Sequence, residues 1–195
     1  MAGENRCIGN IQWNKTYGLL TPGDYTVHSL IQTNDSGFAL AGGKIETSSG
    51  MEFWLLKTDA NGNAQWTQTY GGEDDEGASS VVQTIDGGYA LAGWTGSSGA
   101  GGSDFWLVRT DASGIMLWNQ TYGGALNDYS WSLIRTTDGG YVLAGLTCSF
   151  DDSDGDIWLV KTDGNGIIPE FLSHHIILIL MTVTLIAAIV RRKSA

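Results

Sequence analysis

The run Asp-Gly-Gly-Tyr-Ala-Leu-Ala-Gly at residues 86–93 decides the fold, because close variants of it occur at residues 35–42 and 138–145. Two further motifs recur with it. Trp-x-x-Thr-Tyr-Gly begins at Trp13, Trp66 and Trp118, and a Trp-Leu-centred run ending in Thr-Asp-x-x-Gly contains Trp54, Trp106 and Trp158. The copies are 51 to 53 residues apart throughout. A fixed period of this length indicates a repeat architecture with three units.

Each unit is predicted to contain four short strands, here called A to D. In the second unit, A covers residues 80–84, B covers 89–93, C covers 104–110 and D covers 115–122. Strand A is a small β-branched run, and strand B alternates, with Tyr89 and Leu91 on the same side. Asp/Gly-containing turns separate A from B and C from D. No stretch before residue 170 has helical periodicity, so the sequence predicts an all-β body.

Four-stranded units at a period near 50 residues favour β-propeller blades. The chain opens with an unaccompanied D strand at residues 11–17 and ends after strand C of the third unit. Three blades are fewer than the usual four to eight, so either the chain is a fragment or two chains form a six-bladed homodimeric ring. A β-trefoil, which also has three four-stranded units, is the alternative fold.

The composition favours a surface protein and disfavours nucleic-acid binding. The 195 residues include 28 Gly, 8 Trp and 7 Tyr, and the large aromatic side chains supply core volume to short strands. There are 21 Asp plus Glu and only 10 Lys plus Arg, which gives a net charge of −11. Binding to phosphate backbones depends on Lys and Arg, so this balance predicts no nucleic-acid partner.

The C-terminal part predicts a membrane anchor. Residues 171–190 contain no Asp, Glu, Lys or Arg, and Arg191, Arg192 and Lys193 follow directly. A predominantly apolar segment of this length spans a bilayer core, and a basic cluster at one end remains on the cytoplasmic side. The alternative is a buried core helix, for which a small β repeat offers no cavity. The sequence therefore predicts a protein of the cell membrane whose repeats lie on the extracellular side.

Two resemblances follow from these residues. Pro169-Glu170-Phe171, the apolar span and the basic end resemble an archaeal Pro-Glu-Phe C-terminal sorting signal, which implies processing by a sortase-type enzyme. Residues 10–166 resemble secreted β-propeller repeats of archaeal and bacterial surface proteins, related in pattern to delta-sixty, Kelch and quinoprotein-like blades. Such proteins begin with a signal peptide, and the first ten residues contain no apolar run that would serve as one. A truncated gene product or a misassigned start is therefore expected.

The chain is divided accordingly into a lead-in at residues 1–10, propeller repeats at 11–168 with a period of about 52, and a sorting and membrane region at 169–195. His28 is the one histidine outside the predicted anchor, so no histidine-based metal site or catalytic triad is expected, and no catalytic residues or bound cofactor are assigned. The recurring Asp residues of the turns are expected to cap backbone N–H groups. The alternative is a fragment of an extracytoplasmic propeller enzyme, quinoprotein-like or glycan-acting, with its catalytic blades elsewhere.

In a propeller the D–A and B–C loops share one face, and in this chain those loops differ among the units. This face carries 13 of the 21 acidic residues: Asp24, Glu46, Glu52, Glu73, Asp74, Asp75, Glu76, Asp104, Asp128, Asp151, Asp152, Asp154 and Asp156. Divergent loops on a rigid scaffold are where binding usually resides, and a merely solvated surface is the alternative. The sequence therefore predicts a non-enzymatic protein for adhesion or for binding an extracellular protein or glycan.

One loop on this face is a candidate calcium site. Asp152, Asp154 and Asp156 alternate along residues 151–156, and Gly155 permits a sharp turn between them. Calcium takes six to eight oxygen ligands, and several come from one segment in such loops. No Glu follows at the twelfth position to act as a bidentate ligand, so a solvated acidic loop is the alternative.

Overall fold

The computed structural model describes residues 12–17, 24–46, 50–150 and 155–169, and within these ranges the chain forms eleven β-strands and no helix. The strands are β1 Asp24–Gln32, β2 Phe38–Glu46, β3 Gly50–Thr58, β4 Ala64–Tyr70, β5 Glu76–Gln83, β6 Tyr89–Thr95, β7 Asp104–Thr110, β8 Met116–Tyr122, β9 Asp128–Arg135, β10 Tyr141–Thr147 and β11 Asp156–Thr162. The predicted all-β body is confirmed for these ranges. The predicted membrane helix at residues 171–190 lies outside them.

The described residues form no helix that is long and apolar enough to cross a bilayer.

Each repeat forms its own antiparallel sheet. Sheet 1 has the order β1-β2-β3-β4, sheet 2 the order β5-β6-β7-β8, and sheet 3 the order β9-β10-β11. Within each sheet, strands that follow one another in the chain are hydrogen-bonded neighbours, because hairpins join them. Among the described strands, none pairs with a strand of another sheet. The repeated β units of the sequence are therefore three separate sheets.

The last glycine of the Asp-Gly-Gly-Tyr-Ala-Leu-Ala-Gly motif is required by a close approach between two strands. Gly93 in β6 lies opposite Ala78, where β5 contains a bulge. A side chain added to Gly93 would overlap the carbonyl oxygen of Gly77. Gly42 and Gly145 meet the preceding strands of their own sheets in the same way. The bulge therefore explains why this position is glycine in every copy.

The C–D turns are capped by aspartate, as the sequence predicts. Asp111 Oδ1 accepts hydrogen bonds from the backbone N–H groups of Ser113 and Ile115, at 2.8 and 2.9 Å. Asp59 and Asp163 accept the equivalent pairs in the other two units. These carboxylates are thus engaged in closing the turns.

The A–B turns are closed by a carboxylate and a basic residue from strand C. Asp86 lies 2.5 Å from the Arg109 guanidinium, and the Asp35–Lys57 and Asp138–Lys161 pairs repeat the contact. The hydrogen bond from the Thr84 hydroxyl and the adjacent Arg109 lower the pKa of Asp86 to about 2. The aspartates of the A–B turns are therefore ionised structural groups.

The sheets stack face to face through two apolar cores. The core between sheets 1 and 2 includes Phe53, Leu55 and Leu91, and the core between sheets 2 and 3 includes Phe105 and Leu143. Aromatic pairs repeat across the two interfaces. The Phe53 ring lies 4.6 Å from that of Trp106, and the Phe105 ring lies 4.8 Å from that of Trp158. Each sheet therefore meets the next in a similar geometry.

Residues 12–17, here called the amino-terminal segment, have the sequence of a D strand but no regular strand pairing. The predicted strand at 11–17 is therefore not formed over its described part, since a strand needs a hydrogen-bonded neighbour. The segment nevertheless packs on sheet 1. The Tyr17 hydroxyl donates to the carbonyl oxygen of Gly62 at 2.9 Å, and the Trp13 and Phe38 rings lie 5.8 Å apart.

Candidate functional site

A cleft opens between the loops of sheets 2 and 3, on the face that carries the divergent loops. Its volume is about 450 Å³, within the range of small-molecule sites. The lining residues are Asp74, Asp75, Trp94, Gly96, Gly101, Gly102, Ser103, Asn127 and Tyr129. They come from the D–A loops before β5 and β9, the B–C loop of unit 2, and the strands beside those loops. The cleft therefore exists only where two units meet.

Two aromatic rings from different sheets form the apolar part of the cleft. Trp94, in β6, and Tyr129, in β9, have ring centroids 5.7 Å apart and an interplanar angle of 83°. Trp94 lies over Gly77, where an added Cβ would lie 2.8 Å from its indole nitrogen. Both rings are half-buried, so each retains surface for a ligand. The arrangement offers aromatic surface beside open solvent.

The polar part of the cleft is held in place by hydrogen bonds. Asp75 Oδ1 accepts from the backbone N–H of Met51 at 2.8 Å, and the backbone N–H of Asp74 donates to the Ser97 hydroxyl at 2.9 Å. Asn127 Oδ1 accepts from the backbone N–H of Ser103 at 2.9 Å. These three polar residues are exposed at the cleft. The fixed side chains of Asp75 and Asn127 favour directional hydrogen bonding to a ligand.

Three acidic residues that the sequence assigns to the divergent face are fully buried: Glu76, Asp104 and Asp128. For these three, the expectation of surface carboxylates is wrong. Asp128 accepts hydrogen bonds from the backbone N–H groups of Gly124 and Cys148 and from the Ser149 hydroxyl. Glu76 fastens the equivalent loops of sheet 2 through Thr95 and the backbone N–H of Ser97. Burial is tolerated because donors surround each carboxylate.

Asp104 is less well satisfied than the other two. Its Oδ2 accepts from the backbone N–H of Ala100 at 2.5 Å, but its buried Oδ1 has no hydrogen-bond partner among the described residues. Oδ1 lies against Gly123, where Asp128 Oδ2 also approaches. Burial raises the pKa of Asp104, and the negative charge of Asp128 raises it further. The ionised form of Asp104 is therefore disfavoured in the folded protein.

We expect Asp104→Asn to raise the melting temperature at pH 7. A carboxyl whose folded pKa is raised contributes stability below its unfolded pKa of 3.8, and loses that contribution as pH rises through the folded pKa. The amide is uncharged at all pH values and can donate towards Asp128. The gain should therefore shrink as the pH is lowered towards 4, which thermal denaturation across pH 4 to 8 measures.

Asp59→Asn is the matched control for that series. Asp59 is half-buried, and hydrogen bonds from Asn63 and Asn61 lower the pKa of its carboxyl. The ionised Asp59 carboxylate contributes stability above its unfolded pKa, and this contribution is lost as pH falls. The Asp59→Asn variant should therefore be less stable than the parent protein at pH 7. Equal effects of the two substitutions at pH 7 would contradict the assignment of Asp104.

The candidate calcium loop lies largely outside the described residues. Asp152 and Asp154 fall outside them, and Asp156 is the exposed first residue of β11, opposite Thr147. No group of three or more His, Cys, Asp or Glu side chains arranged to hold a metal ion occurs in the described part of the chain. Calcium binding at this loop stays a prediction.

The sorting and membrane residues are almost entirely outside the described ranges as well. Pro169 is the last described residue and is exposed. Glu170, Phe171 and the basic residues Arg191, Arg192 and Lys193 lie beyond it.

Sequence reasoning missed Trp94 and Tyr129 as candidate binding residues. Trp94 occupies a position filled by Gly43 in unit 1 and Leu146 in unit 3, so it departs from the repeat within strand B. That departure was a usable signal, because residues shared by all units build the scaffold. The proximity of Tyr129 had no sequence signal. No family model matches the chain, and a comparison with curated proteins gives no match.

Proposed function

We propose that this protein is a non-enzymatic β-propeller repeat protein of the cell surface that binds neutral glycans on its divergent loop face. The observation that supports the ligand class is the cleft between sheets 2 and 3. It combines the faces and edges of Trp94 and Tyr129 with the side chains of Asp74, Asp75 and Asn127.

A sugar has an apolar patch and a set of hydroxyl groups, and the cleft has groups that match each of them. The C–H groups of a pyranose ring form an apolar patch that packs on an aromatic ring, which offers large, rigid contact area. The hydroxyl groups around the ring are donors, and carboxylate and amide oxygens accept from them. A mixture of aromatic surface with a few fixed polar groups is the usual composition of a selective small-molecule site.

The charge of the cleft narrows the ligand class. The two carboxylates of Asp74 and Asp75 lie at its edge, and the described lining residues include no Lys or Arg. Like charges brought together are unfavourable, so phosphorylated, sulfated and uronic-acid sugars are poor ligands. Neutral hexoses and N-acetylated hexosamines meet the same groups without that penalty.

The propeller arrangement is supported by repetition of the contacts between neighbouring sheets. The Ser29 hydroxyl accepts from the backbone N–H of Val81 at 3.2 Å, and the Ser80 hydroxyl accepts from that of Leu133 at the same distance. The first strand of each sheet therefore lies beside the first strand of the next. Sheets related by a constant step around an axis lined by their first strands form a propeller.

The surface location is supported by the apolar span at residues 171–190 and by the basic cluster Arg191, Arg192 and Lys193. The span is long enough to cross a bilayer, and the cluster favours a cytoplasmic end. The preceding Pro169-Glu170-Phe171 resembles a sortase-type processing signal. On this proposal, protease added to intact cells removes the repeats, and repeats that survive until lysis contradict it.

The full chain should bind at least one neutral oligosaccharide on a glycan array, and Trp94→Ala should weaken that binding at least tenfold. A tenfold loss corresponds to about 1.4 kcal/mol, which is typical for removing a central aromatic contact. Titration calorimetry of the full chain with the best array ligand measures the loss. Absence of binding to every neutral glycan, while anionic glycans bind, would contradict the proposed ligand class.

Trp131→Ala is the matched control, because Trp131 is an exposed tryptophan of β9 that does not line the cleft. It should leave affinity unchanged. Incubating the bound oligosaccharide with the protein also tests the alternative, a fragment of a glycan-acting propeller enzyme. Recovery of the intact oligosaccharide is expected, and its cleavage would favour the enzyme.

A further inference from the structure

The outer edge of β11 is uncovered in the described structure. In sheets 1 and 2 the third strand is paired on its outer side with a fourth, but sheet 3 ends at β11. Side-chain exposure shows that the outward face of sheet 3 is uncovered as well. Phe105 and Leu107 in β7 are fully buried against sheet 3, whereas their counterparts in β11, Ile157 and Leu159, are 90% and 66% exposed. A free strand edge is a template for a further strand, and the apolar face beside it lacks the next sheet.

The amino-terminal segment has the sequence that this edge lacks. Residues 13–17 read Trp-Asn-Lys-Thr-Tyr, and residues 118–122 of β8, the strand that completes sheet 2, read Trp-Asn-Gln-Thr-Tyr. The segment also contacts the sheet that follows it as a fourth strand does. Tyr17 donates to Gly62 as Tyr122 donates to Gly166, and Trp13 packs on Phe38 as Trp118 packs on Tyr141.

The segment and the free edge are at opposite ends of the row of sheets. Lys15 Nζ donates to Asn63 Oδ1 of the turn before β4, at 3.0 Å, so the segment lies on sheet 1. Sheet 2 separates sheet 1 from sheet 3, because β5 contacts strands of sheet 1 and β9 contacts strands of sheet 2. Among the described residues, the segment has the sequence of a fourth strand but no sheet of its own, and β11 belongs to a sheet with no fourth strand.

We propose that the amino-terminal segment of a second copy of this chain pairs with β11 and completes sheet 3. The register follows from β7 and β8, where Phe105 lies opposite Tyr122, Leu107 opposite Gln120 and Arg109 opposite Trp118. By that register, Ile157 lies opposite Tyr17 of the second copy, Leu159 opposite Lys15, and Lys161 opposite Trp13. This inference concerns the sheet edge and does not depend on which ligand the loop face binds.

A hydrogen bond supports the same register independently. The indole N–H of Trp106 donates to Asn119 Oδ1 at 3.1 Å, and that of Trp54 donates to the Thr67 hydroxyl at 2.7 Å. Each acceptor lies on the fourth strand. No equivalent bond from Trp158 occurs among the described residues, since sheet 3 has no fourth strand there. In the proposed register the residue in the acceptor position is Asn14, which has the same side chain as Asn119.

The exchange also determines the number of copies. If the segment of the second copy completes sheet 3, its sheet 1 follows as the next sheet in the row, because segment and sheet 1 are packed together. Two copies then supply six sheets and two exchanges related by a twofold axis. Six blades are within the four to eight of known propellers, whereas three are not. The proposed assembly is therefore a closed dimer.

Cysteine cross-linking of the full chain in detergent tests the pairing. Cys7 and Cys148 are first changed to Ser. Two single-cysteine variants of this protein, one with Lys15→Cys and the other with Leu159→Cys, are then mixed under mild oxidation. Both parent side chains are exposed, so the variants should fold. We expect at least tenfold more covalent dimer than from a mixture of Leu117→Cys and Leu159→Cys. Leu117 is an exposed residue of β8 and measures random collision.

Light scattering of the cysteine-free full chain, with the detergent contribution subtracted, gives the second readout. A protein mass of two copies is expected, together with cross-linking in register. Cross-linking no greater than in the control overturns the proposal. The same result is expected if another part of the same chain occupies the edge of β11. A mass of one copy also overturns it, and a mass that grows beyond two copies overturns the closed dimer.

Discussion

Replacing Phe105 by alanine should lower the free energy of unfolding by about 3–5 kcal/mol. The Phe105 side chain is fully buried between sheets 2 and 3, and its ring contacts that of Trp158 at 4.8 Å between centroids. Removing it leaves a cavity that the surrounding strands cannot fill, because their positions are fixed by the ladders of sheet 2. Urea denaturation followed by circular dichroism measures the loss.

Ile85→Ala is the control for Phe105→Ala. Ile85 lies in the A–B turn of the same unit and is 79% exposed, so little apolar contact is lost. Its effect should remain within about 0.5 kcal/mol. A loss from Phe105→Ala as small as that of the control would mean that sheets 2 and 3 do not share a packed core.

Replacing Asp128 by alanine should cost about 3 kcal/mol of stability, since a buried donor left without its acceptor costs about 1–3 kcal/mol. The backbone N–H of Gly124 and the hydroxyl of Ser149 lose their acceptor. The backbone N–H of Cys148 loses one of two acceptors and keeps the carbonyl oxygen of Asn127. The loops that they hold flank the cleft at Asn127 and Tyr129. The same denaturation experiment measures the stability, and amide hydrogen exchange should show faster opening of residues 124–127.

Asp24→Ala is the matched control for Asp128→Ala, because Asp24 is the first residue of β1 as Asp128 is of β9, but is exposed. Its effect should be within about 0.5 kcal/mol. If both substitutions cost the same, the loss is due to net charge and not to the hydrogen bonds of Asp128.

The strands and turns could be predicted from the sequence because their causes are local. The short apolar run within residues 104–110 predicts strand C of the second unit, and β7 has these bounds. The aspartates that begin the C–D turns accept backbone N–H groups two and four residues later, as the turn chemistry of Asp and Gly requires. The repeat period predicts units of equal structure, and three separate sheets follow it.

The strand at residues 11–17 was predicted by the same local pattern but is not formed over residues 12–17. A strand needs a partner edge as well as a suitable sequence, and in one chain the matching edge at β11 is two sheets away. The local sequence pattern carries no information about where the partner edge lies. The candidate calcium loop was predicted from the spacing of its aspartates. That spacing does not establish the direction of the Asp156 side chain.

By itself the sequence determined the number of repeats, the all-β class and the chemistry of the turns, since these depend on residues a few positions apart. Tertiary structure alone decided that Glu76, Asp104 and Asp128 are buried while Asp74 and Asp75 stay exposed. It also brought Trp94 and Tyr129 together from different sheets. The physical reason is that burial and proximity depend on how the sheets stack, and residues 35 positions apart acquire neighbours only through that packing.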